Sequence, residues 1–159
     1  MKQIPQEIID FLRAQDFIVV SSIDENGFPH SACKSMVKID AQGIIYLIDL
    51  YHGVTSSNIG RDFKISISAI DEQKFLGYCL KGKAKVMRND PISQEMIKTW
   101  EDNITTRLAN RLLRNLAKGQ VQENHPEASL PGPKYIIALE VEQIVDLTPH
   151  NLRKEGRHG

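Results

Sequence analysis

Apolar residues along this 159-residue chain change their spacing several times, and each change marks a different kind of element. Near the start, Ile8, Ile9, Phe11 and Leu12 give one helical face running to about Gln15, with Pro5 suited to its first turn. The period then drops to two. Phe17 to Ile23 is a β-branched run that reads as a strand, and Asp24-Glu25-Asn26-Gly27 follows with the Asn-Gly signal of a hairpin. The return strand is expected from Phe28 to Ile39. His30, Ala32, Lys34, Met36 and Lys38 share one of its faces, while Ser31, Cys33, Ser35, Val37 and Ile39 share the other. The second face is small and increasingly apolar, so it is expected to look inward. After a turn at Ala41-Gln42-Gly43, Ile44 to Ile48 is the most apolar run in the chain and reads as a central strand.

The next ten residues, Asp49-Leu50-Tyr51-His52-Gly53-Val54-Thr55-Ser56-Ser57-Asn58, organise the rest. A strand delivers the chain, Gly53 permits a sharp turn, and three hydroxyls open a short helix expected over Ser56 to Asp62. Helix N-termini carry unpaired N–H groups and a partial positive charge. Two readings follow: one hydroxyl caps the helix, or the group receives a phosphate or other oxyanion. Strands are then expected at Lys64 to Ile70, where serines alternate with apolar residues, and at Phe75 to Met87, with Gly77 and Gly82 marking bulges or close backbone approach. Five strands joined mostly by short turns predict an antiparallel barrel or sandwich.

Asn89-Asp90-Pro91 restores the helical period, with Asp90 placed as N-cap and Pro91 at the first helical position. Ile92, Met96, Ile97, Trp100, Ile104, Leu108, Leu112 and Leu116 keep that spacing over about 26 residues, with a break admissible near Asp102-Asn103. Arg107, Arg111, Arg114 and Lys118 form a basic stripe, either a solvated helix face or a surface for an anionic partner. Residues 117 to 134 hold Pro126, Pro131, Gly132 and Pro133 and read as a long loop, with three alternatives: a lid, a dimer arm or a disordered segment. Tyr135 to Val145 returns to strand, and the basic tail from Leu152 to Gly159 is expected to fray.

Composition adds limits. Hydrophobic residues make up 41% and charged residues 25%, values suited to one globular domain spanning 1–159 with a helical and loop insertion at about 90–134. A formal net charge of zero gives no global attraction to nucleic acid or to anionic membrane, and little resistance to self-association. Cys33 and Cys79 form no ligand pair, and a reduced, cytoplasmic setting is expected. Cys33, on the face expected to be inward, reads as a buried hydrophobe. The N-terminus lacks the pattern of a signal peptide, and no apolar run approaches the roughly 20 residues of a membrane span. Phosphate-binding loops of the GxxxxGK[ST] and GxGxxG types are missing, as are HExxH and GxSxG. The histidines at 30, 52, 125, 150 and 158 have no metal-ligand spacing.

Taken in order, the run from Phe17 to Val86 resembles the FMN-binding split-barrel proteins related to pyridoxamine 5'-phosphate oxidase. The carrying features are a D-x-x-G turn leading to Pro29-His30, the Gly43-Ile44-Ile45-Tyr46-Leu47 strand, the Thr55-Ser56-Ser57-Asn58-Ile59 helix start, Ile65-Ser66-Ile67, and Leu80-Lys81-Gly82-Lys83-Ala84. The resemblance covers about residues 3–90 and extends to the strand near 140–147. It implies a mainly β split barrel and a homodimer holding FMN at its interface. It also implies phosphate contacts from Thr55, Ser56, Ser57 and Asn58, with the ring between Lys34-Ser35-Met36 and Asp49-Leu50-Tyr51. Lys74 and Phe75 would reach the partner's flavin. Lys34 is then placed to tune the cofactor, the alternative being a strand-face lysine in water; Tyr51 either covers the ring or packs at a strand end. Val54 and Thr55 stand where pyridoxamine phosphate oxidases carry basic residues, so oxidation of a pyridoxal-vitamer phosphate is not expected. The expected function is a flavin-dependent oxidoreductase or electron carrier. The alternative is a non-catalytic binding, storage or sensing module for flavin, deazaflavin or haem, with His52 or His125 as the candidate haem ligands.

Overall fold

The computed structural model describes residues 2–40, 42–51, 53–88, 91–118, 131–133 and 135–152. Its elements are α1 (Gln6–Arg13), β1 (Ile18–Ile23), β2 (Pro29–Lys34), β3 (Met36–Ile39), β4 (Ile44–Asp49), α2 (Val54–Arg61), β5 (Lys64–Asp71), β6 (Leu76–Met87), α3 (Pro91–Ala117) and β7 (Tyr135–Asp146), followed by a 3₁₀ turn at His150–Leu152. All seven strands belong to one antiparallel sheet of order β2-β1-β5-β6-β7-β4-β3. β2 and β3 are separated only by Ser35 yet occupy opposite edges of that sheet. The sheet must therefore curl until its edges meet at Ser35, whose carbonyl accepts from the Ile48 N–H at 2.9 Å and so extends the β3–β4 pairing up to the seam. The result is the mainly β split barrel, with three helices around it.

The barrel interior is filled by Ile18 and Val20 from β1, Ile45 and Leu47 from β4, Ile65 and Ile67 from β5, and Ile137, Leu139 and Val141 from β7. Helix α1 closes this core with the four apolar residues its spacing predicts, and Phe11 meets Tyr78 edge-on with ring centroids 5.2 Å apart. A second apolar cluster lies outside the sheet, where Met96, Trp100 and Ile104 of α3 pack on Ile48 and Ile136. Strands β4 and β7 are thus covered on both faces, which explains why their sequences are near-continuous apolar runs. Helix α3 runs unbroken through Asp102-Asn103. Asp90, most of the 117–134 segment and the tail beyond Leu152 lie outside the described residues.

The return strand departs from expectation. His30, Ala32 and Lys34 are the half-buried positions of β2, while Ser31 and Cys33 are exposed. The cause is a bulge in β3: Met36 pairs with Leu47 but Lys38 pairs with Tyr46, so Val37 is an extra residue. Counting alternate positions back from buried Ile39 across one extra residue inverts every face before it. Cys33 is accordingly not a core residue. The close approach expected at Gly82 is present: the register shifts between Lys81 and Gly82, and a Cβ on Gly82 would lie 1.9 Å from the Glu140 carbonyl oxygen.

Candidate functional site

Helix α2 begins at Val54, two residues earlier than its hydroxyls suggest, and Gly53 is its N-cap with no side-chain cap. The N–H groups of Ser56 and Ser57 donate to the Gly53 carbonyl at 3.0 and 3.2 Å. Capping by a hydroxyl is thereby excluded, and the hydroxyls go elsewhere. Ser56 is 4% exposed and its Oγ donates a hydrogen bond to Asp49 Oδ2. Ser57 faces solvent, its Oγ 3.5 Å from the Gly53 carbonyl. Thr55 is buried at the start of the helix. Asn58, also buried, donates to Ser22 Oγ at 2.9 Å and accepts from Arg61, whose guanidinium also reaches the Ile23 carbonyl at 2.6 Å. Asn58 and Arg61 therefore fasten α2 to the end of β1.

Asp49 ends β4 and is 2% exposed. Its other oxygen, Oδ1, takes Lys34 Nζ at 2.9 Å, and both side chains are largely withdrawn from water. Burial alone pushes the Asp49 carboxyl up. The Ser56 hydroxyl, the Lys34 ammonium and the Tyr51 backbone N–H outweigh that effect and hold it below the ordinary carboxylate range. Lys34 is thus neither a lysine in open water nor an isolated cation. It belongs to a buried chain, Lys34–Asp49–Ser56, that links β2 to β4 and to the first turn of α2.

A cavity of about 210 Å³ opens beside this chain. Lys34 and Ser35 line it from the β2–β3 junction, and Asp49, Leu50 and Tyr51 line it from the end of β4. The two segments expected to flank a ring are therefore brought together. Met36 turns toward the barrel core instead, packed against it opposite Leu47. Tyr51 is 70% exposed and forms an open lip. Lys74 and Phe75 sit on the β5–β6 turn, where Lys74 Nζ pairs with Asp71 at 3.0 Å and Phe75 adopts a φ of 50°. Phe75 lines a different hollow with Ile70 and Leu147. Within one chain, that turn contributes nothing to the Lys34 cavity. His52 and His125 lie outside the described residues.

Four wall residues were not legible as site residues: Phe17, Cys33, Ile48 and Trp100. Cys33 was misassigned by the bulge. Trp100 looked like one more apolar position on a helix, and the signal available was only that it is the single tryptophan. The donor set suits an acceptor-rich ligand: an ammonium held in place and helix N–H groups nearby in sequence. Among the described residues no cluster of potential metal ligands occurs, and no helix is long and apolar enough to cross a membrane.

The sequence profile of the pyridoxamine 5'-phosphate oxidase family matches residues 4–147. The chain belongs to that family. No curated protein matches it in sequence. Among solved structures, HupZ of Group A Streptococcus is 21% identical, with a TM-score of 0.67 over 91% of this chain and 94% of that one. HutZ, the haem storage protein of Vibrio cholerae, is 14% identical, with a TM-score of 0.56 over 91% and 94%. An F420 reductase is 12% identical, with a TM-score of 0.58 over 89% and 98%. At these identities the likeness establishes the fold, and these three proteins differ in what their names say of them.

Proposed function

We propose that this protein binds FMN and acts as a flavin-dependent redox protein, with the ring edge in the Lys34–Asp49 cavity and the phosphate at the first turn of α2. The observation that carries this reading is the buried Lys34–Asp49–Ser56 chain, which ties the cavity to the helix start through a single set of hydrogen bonds. Thr55, Ser57 and the first N–H groups of α2 are the donors offered to the phosphate; Ser56 and Asn58 hold the turn in shape. Bound flavin would supply hydride or single-electron chemistry, and the protein would supply binding, orientation and electrostatics.

A cavity of about 210 Å³ is smaller than the roughly 300 Å³ at which small-molecule sites begin. A second surface is needed to enclose a flavin, and exposed Phe17 and Tyr51, both lining the opening, provide apolar material for a second copy of the chain. We therefore propose a homodimer with a site completed across its interface, Lys74 and Phe75 of one subunit serving the cavity of the other. The deciding measurement is the visible spectrum of the purified protein, with identification of the released chromophore and light scattering of the loaded form. Flavin bands with FMN released from a dimer are expected. A Soret band would replace this reading with haem storage, and a colourless protein that fails to take up added FMN would remove it.

A further inference from the structure

We infer that the outer face of the sheet carries a second binding site, apart from the Lys34 cavity, whose ligand is a mononucleotide. A cavity of about 400 Å³ opens over β1, β5 and β6, nearly twice the volume of the one of about 210 Å³ beside Lys34. That volume lies within the range of small-molecule sites. Cys33 of β2 lines the Lys34 cavity and Pro29 lines this one, so about 13 Å of strand separates the two. Strand pairing builds the wall. Ser21 stands opposite Ser66, and Ser66 stands opposite Lys81, so one rung of the sheet supplies two hydroxyl residues and a lysine. Lys64 lies two residues along β5 from Ser66, on the same face, and lines the cavity as well.

The charges on this face do not balance within the chain. Lys64 sits directly opposite Lys83, and like charges in that position weaken a sheet. Glu142, the extra residue where β7 bulges opposite Lys81 and Gly82, pairs with Lys83 at 3.0 Å, and Glu140 faces Lys83 across the β6–β7 ladder. Lys64 and Lys81 are left with no ion-pair partner among the described residues. Each is a point charge on a flexible stem, and two at one hollow favour a phosphate monoester over a singly charged carboxylate. The other walls describe the rest of the ligand. Ile23 and Pro29 offer apolar surface to a ring, while Ser21, Ser66 and the second oxygen of Glu142 offer partners to ribose hydroxyls. Free phosphate leaves the apolar wall bare, and a nucleoside leaves both ammonium groups unmatched. None of these residues belongs to the proposed flavin site, which neither supports this one nor depends on it.

The probes are adenosine 5'-phosphate, adenosine and inorganic phosphate, each titrated into the intact chain and followed by backbone amide chemical shifts. Wild type is compared with a Lys64→Gln, Lys81→Gln double variant and with Lys85→Gln, a lysine of the same strand that lines a different hollow. Saturable binding of adenosine 5'-phosphate is expected, tighter than that of either fragment, with shifts centred on Ser66 and Gly82. Affinity should fall about tenfold in the double variant, as the loss of two exposed charges implies, stay unchanged in Lys85→Gln, and weaken with added salt. Without ligand the double variant should unfold at or above the wild-type temperature, because the opposition to Lys83 is gone; lost binding is then not lost structure. No saturation at millimolar probe, or equal binding by wild type and double variant, would overturn the site. Inorganic phosphate binding as tightly as adenosine 5'-phosphate would overturn the mononucleotide assignment. Shifts centred on Ser35 and Tyr51 instead would put the probe in the Lys34 cavity and overturn the second site.

Discussion

Lys34 and Asp49 form a pair whose members cannot be altered independently. Removing one partner of a buried ion pair leaves an uncompensated charge and costs about 3–5 kcal/mol. Asp49→Asn keeps the shape but removes the anion, so thermal or urea unfolding should show a loss toward the lower end of that range. In a loaded protein the two substitutions should move the flavin potential in opposite directions. Lys34→Ala leaves the Asp49 carboxylate facing a ring that gains negative charge on reduction, and the midpoint should fall. Asp49→Asn leaves the Lys34 cation unopposed, and the midpoint should rise. A shift of about 30 mV corresponds to tenfold in a two-electron equilibrium, well within the reach of dye-equilibration titration; an unchanged potential in both variants would dismiss Lys34 as a tuning residue. The same pair sets an acid limit. Asp49 is held below its ordinary value of 3.8, so its contribution to stability is present above that pH and is lost as pH falls through the lower folded-state value. Unfolding followed from pH 6 downward should therefore show an acid limb in the wild type that is flatter in Asp49→Asn.

The elements show where local sequence sufficed and where it did not. Helix α1, the Asn26-Gly27 hairpin and strands β4 to β7 could be read locally, from a steady period, an unbroken apolar run or, at Gly82, a glycine that marks the irregularity, and Gly27 takes the positive φ of 84° that its turn demands. The β2–β3 strand could not, because a single extra residue at Val37 reverses the parity of everything before it and nothing in the composition announces it. Part of the site was legible for the same reason. Lys34, Ser35, Asp49, Leu50 and Tyr51 were placed by the family pattern, whereas Trp100 comes from an α3 helix that lies outside that pattern. The partnership of Ser56 with Asp49 was hidden as well, since seven residues and a turn separate them and only the folded chain points one at the other. The bulge at Gly82 is the element most exposed to test. A methyl group there meets the Glu140 carbonyl oxygen at 1.9 Å, a clash with backbone rather than with a movable side chain. Gly82→Ala should lose about 1–3 kcal/mol in urea unfolding, more than Gly60→Ala on the exposed side of α2, where nothing stands within 4 Å.

For the whole molecule, one sheet with its two edges brought together at Ser35 does three things at once. It encloses the interior core, it leaves the outer face of β4 and β7 for α3, and it sets the cavity at the seam where β2 gives way to β3. The walls of the candidate site therefore come from four parts of the chain: Phe17 ahead of β1, the β2–β3 junction, the end of β4 and α3.

The position of β7 gives that arrangement a history in time. This strand is the last of the described strands in sequence but sits between β6 and β4, so Ile44 to Asp49, paired early with β3, wait for Tyr135 to Glu140 before they gain their second neighbour. A chain emerging from the ribosome can pair β1 with β2 and β5 with β6 early, while the strand that joins the two halves arrives only at the end. Contacts of such sequence separation form slowly and late. The pocket accordingly cannot exist before β7 has emerged, and any ligand must be acquired after that point. Chains arrested on the ribosome before residue 135 should show no ligand uptake, and chains extended far enough to free Asp146 from the exit tunnel should gain it in one step.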